Sequence, residues 1–145
     1  MYRKILLPVV SSEISTPHLQ HAIRLAKNLN AEILLLQVIT IAQSDEPFFQ
    51  QVQVEIGSRA YNEKKKGQEF LNRLEKQLRN DGIPSHGHLI ISDKTEAEAI
   101  TEHALQEKCD LIVVPNENHT GIGRWLFSSL GEKVRRHTSV PVLFV

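Results

Sequence analysis

A single cysteine in 145 residues leaves nothing to pair within the chain, so no internal disulfide framework holds this protein together. Cys109 lies in an apolar context before Asp110, with no adjacent histidine or cationic pair to activate it. It reads as a buried, inert thiol in a reducing compartment, and places the protein in the cytoplasm. Excess charge is missing as well: 17 Lys plus Arg against 17 Asp plus Glu leave no global field to draw nucleic acid or an anionic membrane. Long apolar runs are absent too, since Ile5 to Val10 and Ile33 to Leu36 fall far short of the roughly 18 residues of a membrane span. The basic start at Arg3-Lys4 is followed by too short an apolar stretch for a signal peptide, and Ser11-Ser12-Glu13 lacks the small-x-small cleavage pattern. What is present, 41% hydrophobic and 23% charged residues over 145 positions, describes one folded domain spanning residues 1–145.

The apolar pattern alternates between two periods. Arg3 to Val10 is a continuous apolar run, the mark of a strand covered on both faces. After Ser15-Thr16-Pro17, a hydroxyl cap and a first-turn proline, Leu19, Ala22, Ile23, Ala26 and Leu29 form a helical stripe, with Gln20, Arg24 and Lys27 facing water. Glu32 to Ile39 is a second buried strand. Thr40 to Gly57 lacks sustained periodicity and reads as the longest loop, before a helix from Ser58 to Asn80 that buries Phe70, Leu71, Leu74 and Leu78 and stops at Asp81-Gly82. The Lys64-Lys65-Lys66 run is a solvated helix face.

His86 to Ile91 is a third strand. Asp93 with Glu96 forms a capping-box start for a helix that buries Ala97, Ile100, Ala104 and Leu105 and turns His103 outward. Asp110 to Val114 is a fourth strand. Ser129 with Glu132 opens a last short helix with Leu130 and Val134 inward, and Val140 to Val145 is a fifth strand, kept to a sheet edge by Pro141. Strands alternating with helices give an α/β fold, a parallel sheet with helices on both faces. In such sheets the ligand crevice lies beyond the carboxyl ends of the strands, which directs attention to the loops after Val10, Ile39 and Val114.

The loop from Pro115 to Ser129 has the makings of an anion cradle. Gly121 and Gly123 permit close backbone approach, Arg124 supplies a forked cation, and Ser128 and Ser129 place hydroxyls beside the open N–H groups of the last helix. The same glycine turns and serine caps also serve ordinary structure. Asn116, Asn118 and His119 add polar groups suited to a phosphorylated ligand. No GxxxxGK[ST] loop, completed GxGxxG or GxSxG elbow occurs. His86 and His88, two apart on a strand, share a face but have no companion at recognisable ligand spacing, so they are read as an exposed or partner-facing pair, and no metal site is expected. Trp125 and Phe127 are read as closing the core under the loop.

With these residues in place, the chain resembles the universal stress protein family over essentially its whole length. Lys4-Ile5-Leu6-Leu7-Pro8-Val9 looks like that family's first strand and Ala31 to Ile39 like its second. Glu96-Ala97-Glu98-Ala99-Ile100 and Cys109 to Val114 look like its third helix and fourth strand. Thr120-Gly121, Arg124, Ser129, Glu132-Lys133-Val134, Arg136-His137 and Pro141-Val142-Leu143 follow in its register. The resemblance implies a Rossmann-like five-stranded sheet of order 3-2-1-4-5, and a homodimer paired through Val140 to Val145. Many members bind ATP through G-x-x-G, nine residues, then G followed by Ser or Thr, with an aspartate after the first strand. Here Pro115, Asn118 and Ser128 stand at the three glycines, Ser129 keeps the final hydroxyl, and Val10 stands at the aspartate.

Val10 removes an acceptor, Pro115 removes a donor, and the side chains of Asn118 and Ser128 narrow the space for a polyphosphate. The expectation is a non-enzymatic, homodimeric regulatory or binding module with a degenerate nucleotide site, no required cofactor and no tight hold on ATP. The alternative keeps ATP or AMP, with Arg124, Ser128, Ser129 and Leu130 around the phosphates and backbone near Val38 at the base. A hydrolase or nucleotidyl transferase using His119 or Glu117 is the third reading.

Overall fold

The computed structural model describes residues 1–9, 17–41, 47–115 and 132–145, with backbone alone for 47–60 and at 18. Its elements run β1 (Lys4–Pro8), α1 (Pro17–Leu29), β2 (Glu32–Thr40), α2 (Pro47–Asn80), β3 (Ser85–Ser92), α3 (Glu96–Gln106), β4 (Leu111–Val114) and β5 (Val142–Phe144), with a helical segment at 132–137 before β5. The five strands are all parallel, as the alternation of strands and helices predicts, and lie in the order β3-β2-β1-β4-β5 that the family resemblance implies.

The continuous apolar runs are explained by burial on both sides of the sheet. Ile5, Leu7, Ile33 and Leu35 pack under Leu19, Ala22 and Ala26 of α1 and Phe70, Leu71, Leu74 and Leu78 of α2. Leu6, Leu34, Leu36 and Ile112 point the other way, onto Ala97, Ile100 and Ala104 of α3 and onto Val134. Period-two alternation within an unbroken apolar strand thus feeds two separate cores. The register places Lys4 opposite Glu32 and Pro8 opposite Leu36. Asp110 closes the amino-terminal end of the sheet, its carboxylate accepting from the N–H groups of Arg3 at 2.8 Å and Lys4 at 3.0 Å.

α1, α2 and α3 share one way of stopping. Asn30, Gly82 and Lys108 each take a left-handed φ, of 51°, 83° and 57°. The next residue then donates back into the last turn: Ala31 to Ala26, Ile83 to Leu78 and Cys109 to Ala104, each at 2.9 Å. Lys108 is the unusual one, because a side chain in this region is strained where glycine is not.

Several expectations are corrected here. The segment expected as a loop from Thr40 to Gly57 is helical from Pro47, and α2 runs unbroken to Asn80. Pro47 suits a first helical turn, no further proline follows, and the glycines at 57 and 67 cost only about 1 kcal/mol each in a helix. The cap of α3 is Thr95 with Glu98, not Asp93 with Glu96: Thr95 Oγ1 accepts from the Glu98 N–H at 3.3 Å, and Glu98 Oε2 accepts from the Thr95 N–H at 3.4 Å. That start leaves Leu105 a full 100° round the helix from Ala104, and it is 58% exposed rather than buried. His103 faces β3 rather than solvent. β5 is shorter than Val140 to Val145, and Leu29 ends α1 more exposed than its stripe implied.

Candidate functional site

The strand order reverses direction between β1 and β4, since the chain leaves β1 toward β2 and later returns to β4 on the other side. This is the switch point at which open α/β sheets hold ligands. Its floor is well defined. Leu6 stands opposite Ile112, so the tips Pro8 and Val114 lie level with each other. Val9, just beyond β1, is buried and commits its N–H to the Leu36 carbonyl at 2.9 Å.

Of the residues singled out by sequence, Pro115 lies at the end of β4 and Val38 in β2, the strand on the other side of β1. Val38 is in the last third of β2, paired with Ile90 of β3 and half-buried against the core beneath α3. Pro115 follows β4 directly and is buried. Lacking an N–H, it offers no backbone donor at the carboxyl tip of the strand beside β1. Val10, Asn116, Asn118, Gly121, Arg124, Ser128, Ser129 and Leu130 lie outside the described residues, as do His119, Glu117, Trp125, Phe127 and the Ser129 cap.

Cys109, His86, His88, His103 and Glu107 belong to neither β1 nor β4. Cys109 precedes β4 and is buried; burial pushes its thiol up to about 11, which keeps it protonated and unreactive at neutral pH. His86 and His88 share a face of β3 but part company. His86 is exposed with Nδ1 3.3 Å from the Arg79 guanidinium, whereas His88 Nδ1 lies 2.8 Å from His103 Nε2 on α3. Sequence spacing had not joined His88 to His103, because the contact crosses from strand to helix. Burial and the neighbouring His88 hold the His103 imidazole below its ordinary pKa. Glu107, hydrogen-bonded by the Lys4 ammonium, is held below the usual carboxylate range.

On the outer edge of the sheet, α2 supplies a polar clamp that sequence reading missed. Glu75 Oε2 accepts from the Gly87 N–H at 2.8 Å and Arg79 Nε donates to the Ser85 carbonyl at 2.9 Å, which are groups of β3 turned away from β2. Glu75 Oε1 and Arg79 also pair at 2.9 Å. The alternation of a parallel strand sets which groups face outward, but nothing local in sequence ties them to residues six and twelve positions upstream.

Comparison with known proteins agrees with the architecture. The model of the universal stress protein family matches residues 1–145. A universal stress protein of Methanocaldococcus jannaschii is 31% identical over 147 residues, covering 100% of this chain and 82% of that one. Among solved structures, the universal stress protein UspA of Lactobacillus plantarum superposes with a TM-score of 0.78 at 19% identity, covering 99% of this chain and 97% of that one. A universal stress protein family member of Arabidopsis thaliana with AMP bound gives 0.62 at 19%, covering 99% and 90%. At these identities the two structures speak for the fold alone; together with the family match along the whole chain and the archaeal relative, they lead to one conclusion: this chain belongs to the universal stress protein family.

Proposed function

We propose that the protein is a non-enzymatic regulatory or binding module of the cytoplasm, a homodimer whose switch-point crevice does not hold ATP tightly. The observation that carries this is Pro115, buried at the carboxyl tip of β4 where the family's first phosphate-loop glycine would stand. A donor is lost there, and Val10, Asn118 and Ser128 remove an acceptor and occupy space at the other motif positions. Each such loss is worth about 1 to 3 kcal/mol, so even two of them weaken binding by a factor of about 30 or more. Calorimetric titration with ATP and magnesium tests it: a flat trace to millimolar nucleotide is expected, and a micromolar dissociation constant overturns it.

The second reading, AMP in the same crevice, is favoured by the Arabidopsis thaliana neighbour with AMP bound. A monophosphate needs fewer of the missing phosphate contacts, with Val38 backbone at the base and Arg124, Ser128, Ser129 and Leu130 at the phosphate. The same titration with AMP decides between the two.

The dimer is proposed to form by antiparallel pairing of β5 with its symmetry copy. β5 is the edge strand beside β4, and the opposite edge, β3, already has Gly87 and Ser85 engaged by α2. Sedimentation at high micromolar concentration should show a dimer, and a monomer there removes this part of the proposal. Among the described residues no helix is long and apolar enough to cross a membrane.

A further inference from the structure

We propose that His88, His103 and Glu107 form a binding site for a divalent transition-metal ion of the zinc class, between β3 and α3. His88 lies on the face of β3 turned toward α3, while His103 and Glu107 stand one turn apart at the end of that helix. One ligand atom from each of the three falls within 4.8 Å of the others, and all three residues are half-buried. Two imidazoles and a carboxylate are a donor set that zinc takes, leaving a further position for water or another ligand.

The two rings already aim nitrogen at nitrogen, with His88 Nδ1 2.8 Å from His103 Nε2 and the ring planes at 86°. Two nitrogens bound to one tetrahedral zinc ion sit about 3.3 Å apart, from bonds of about 2.05 Å. An ion therefore enters beside the line between the two nitrogens if each ring recedes by about a quarter of an ångström and turns by about 35°, so that its lone pair points at the ion. The histidine that donates in the present contact then moves its proton to its other ring nitrogen, so both facing nitrogens offer lone pairs with no proton lost from the pair. Burial already disfavours the imidazolium form of His103.

The surroundings favour a cation and contain one competitor. Glu107 is the C-cap of α3, so the ion would sit near the negative end of a helix dipole. Lys4 Nζ contacts Glu107 Oε2 at 3.4 Å and its charge opposes that of an ion. Glu32 lies 3.7 Å from the same ammonium and gives Lys4 a second carboxylate when Glu107 turns to metal. Beside the cluster an open groove, walled by His103, Ile90, Ser92, Lys94, Glu102 and Gln106, carries one of the ligands to solvent.

The test is a calorimetric titration of the full-length protein, stripped with chelator, using zinc chloride as the probe. One saturable site per chain is expected. His88→Gln and His103→Gln should each weaken it more than about tenfold, since loss of an outer-sphere partner alone costs 10- to 100-fold. Lys4→Gln should tighten it. Far-UV circular dichroism without metal shows whether each variant is folded. Should either histidine variant fail to fold, imidazole NMR of the unmodified protein takes its place, where zinc must shift the His88 and His103 resonances together and saturably. No saturable heat, an affinity unchanged in both folded histidine variants, or zinc shifts confined to other histidines would each overturn the site.

Discussion

Removal of the Glu75 carboxylate should loosen the outer edge of the sheet by a calculable amount. In Glu75→Ala the Gly87 N–H loses a charged acceptor at 2.8 Å, and Arg79 loses its partner at 2.9 Å. A hydrogen bond to a charged group contributes about 1.5 to 3 kcal/mol, and the lower end applies because the Glu75 side chain is 22% exposed, so water can partly replace it. The ion pair adds only about 0.3 to 0.5 kcal/mol, since Arg79 is half-exposed. The sum is about 2 kcal/mol, or a fall in Tm of about 4 to 8 °C for a chain of this size. Glu75→Gln keeps an acceptor at the same reach and should lose about half as much. Urea denaturation of the three proteins, followed by circular dichroism, measures both values. A Glu75→Ala protein within about 0.5 kcal/mol of the parent would refute the clamp, because that is the scatter of an ordinary surface substitution.

The other expectations are narrower. Lys108→Gly relieves a left-handed φ of 57° at an exposed helix end and should raise stability by about 0.5 to 1 kcal/mol in the same assay; a loss would mean the lysine makes a compensating contact. His103 faces His88, Glu107 and Lys4, and burial followed by His88 and Lys4 outweighs the pull of Glu107. Its folded pKa is thus depressed: the folded state binds fewer protons than the unfolded chain just below about pH 6.5, so stability should fall as pH drops through that value. NMR titration placing the His103 imidazole at or above the ordinary histidine value would contradict this. Cys109, pushed up to about 11, should react with a thiol reagent at neutral pH only as fast as the protein opens; immediate stoichiometric labelling of the native protein would show otherwise.

The strands were legible because their cause is local. Leu6 and Leu7 follow one another in an unbroken apolar run, which only a strand buried on both faces tolerates, and the run recurs in Ile33 to Leu36 and Leu111 to Val114. The start of α2 was not legible, since Pro47 to Gly57 has no sustained apolar stripe and a proline such as Pro47 marks a loop as readily as a first helical turn. His103 and Leu105 were assigned to the wrong faces for a related reason. α3 presents small residues, Ala97, Ala99 and Ala104, whose stripe is too weak to fix the helix rotation to within one residue. Of the candidate crevice residues named from sequence, Val38 lies within β2 and Pro115 directly follows β4. The His88 contact with His103 and the Glu75 clamp join separate elements in space, and no spacing within one element announces them.

The altered phosphate loop is tested most directly by restoring it. ATP titrated into the parent protein and into a variant carrying Val10→Asp, Pro115→Gly, Asn118→Gly and Ser128→Gly compares this chain's own residues at the motif positions with those the motif describes. The account predicts no saturable binding to the parent up to millimolar ATP and a measurable dissociation constant for the folded variant. Micromolar binding by the parent, unchanged in the variant, would contradict it.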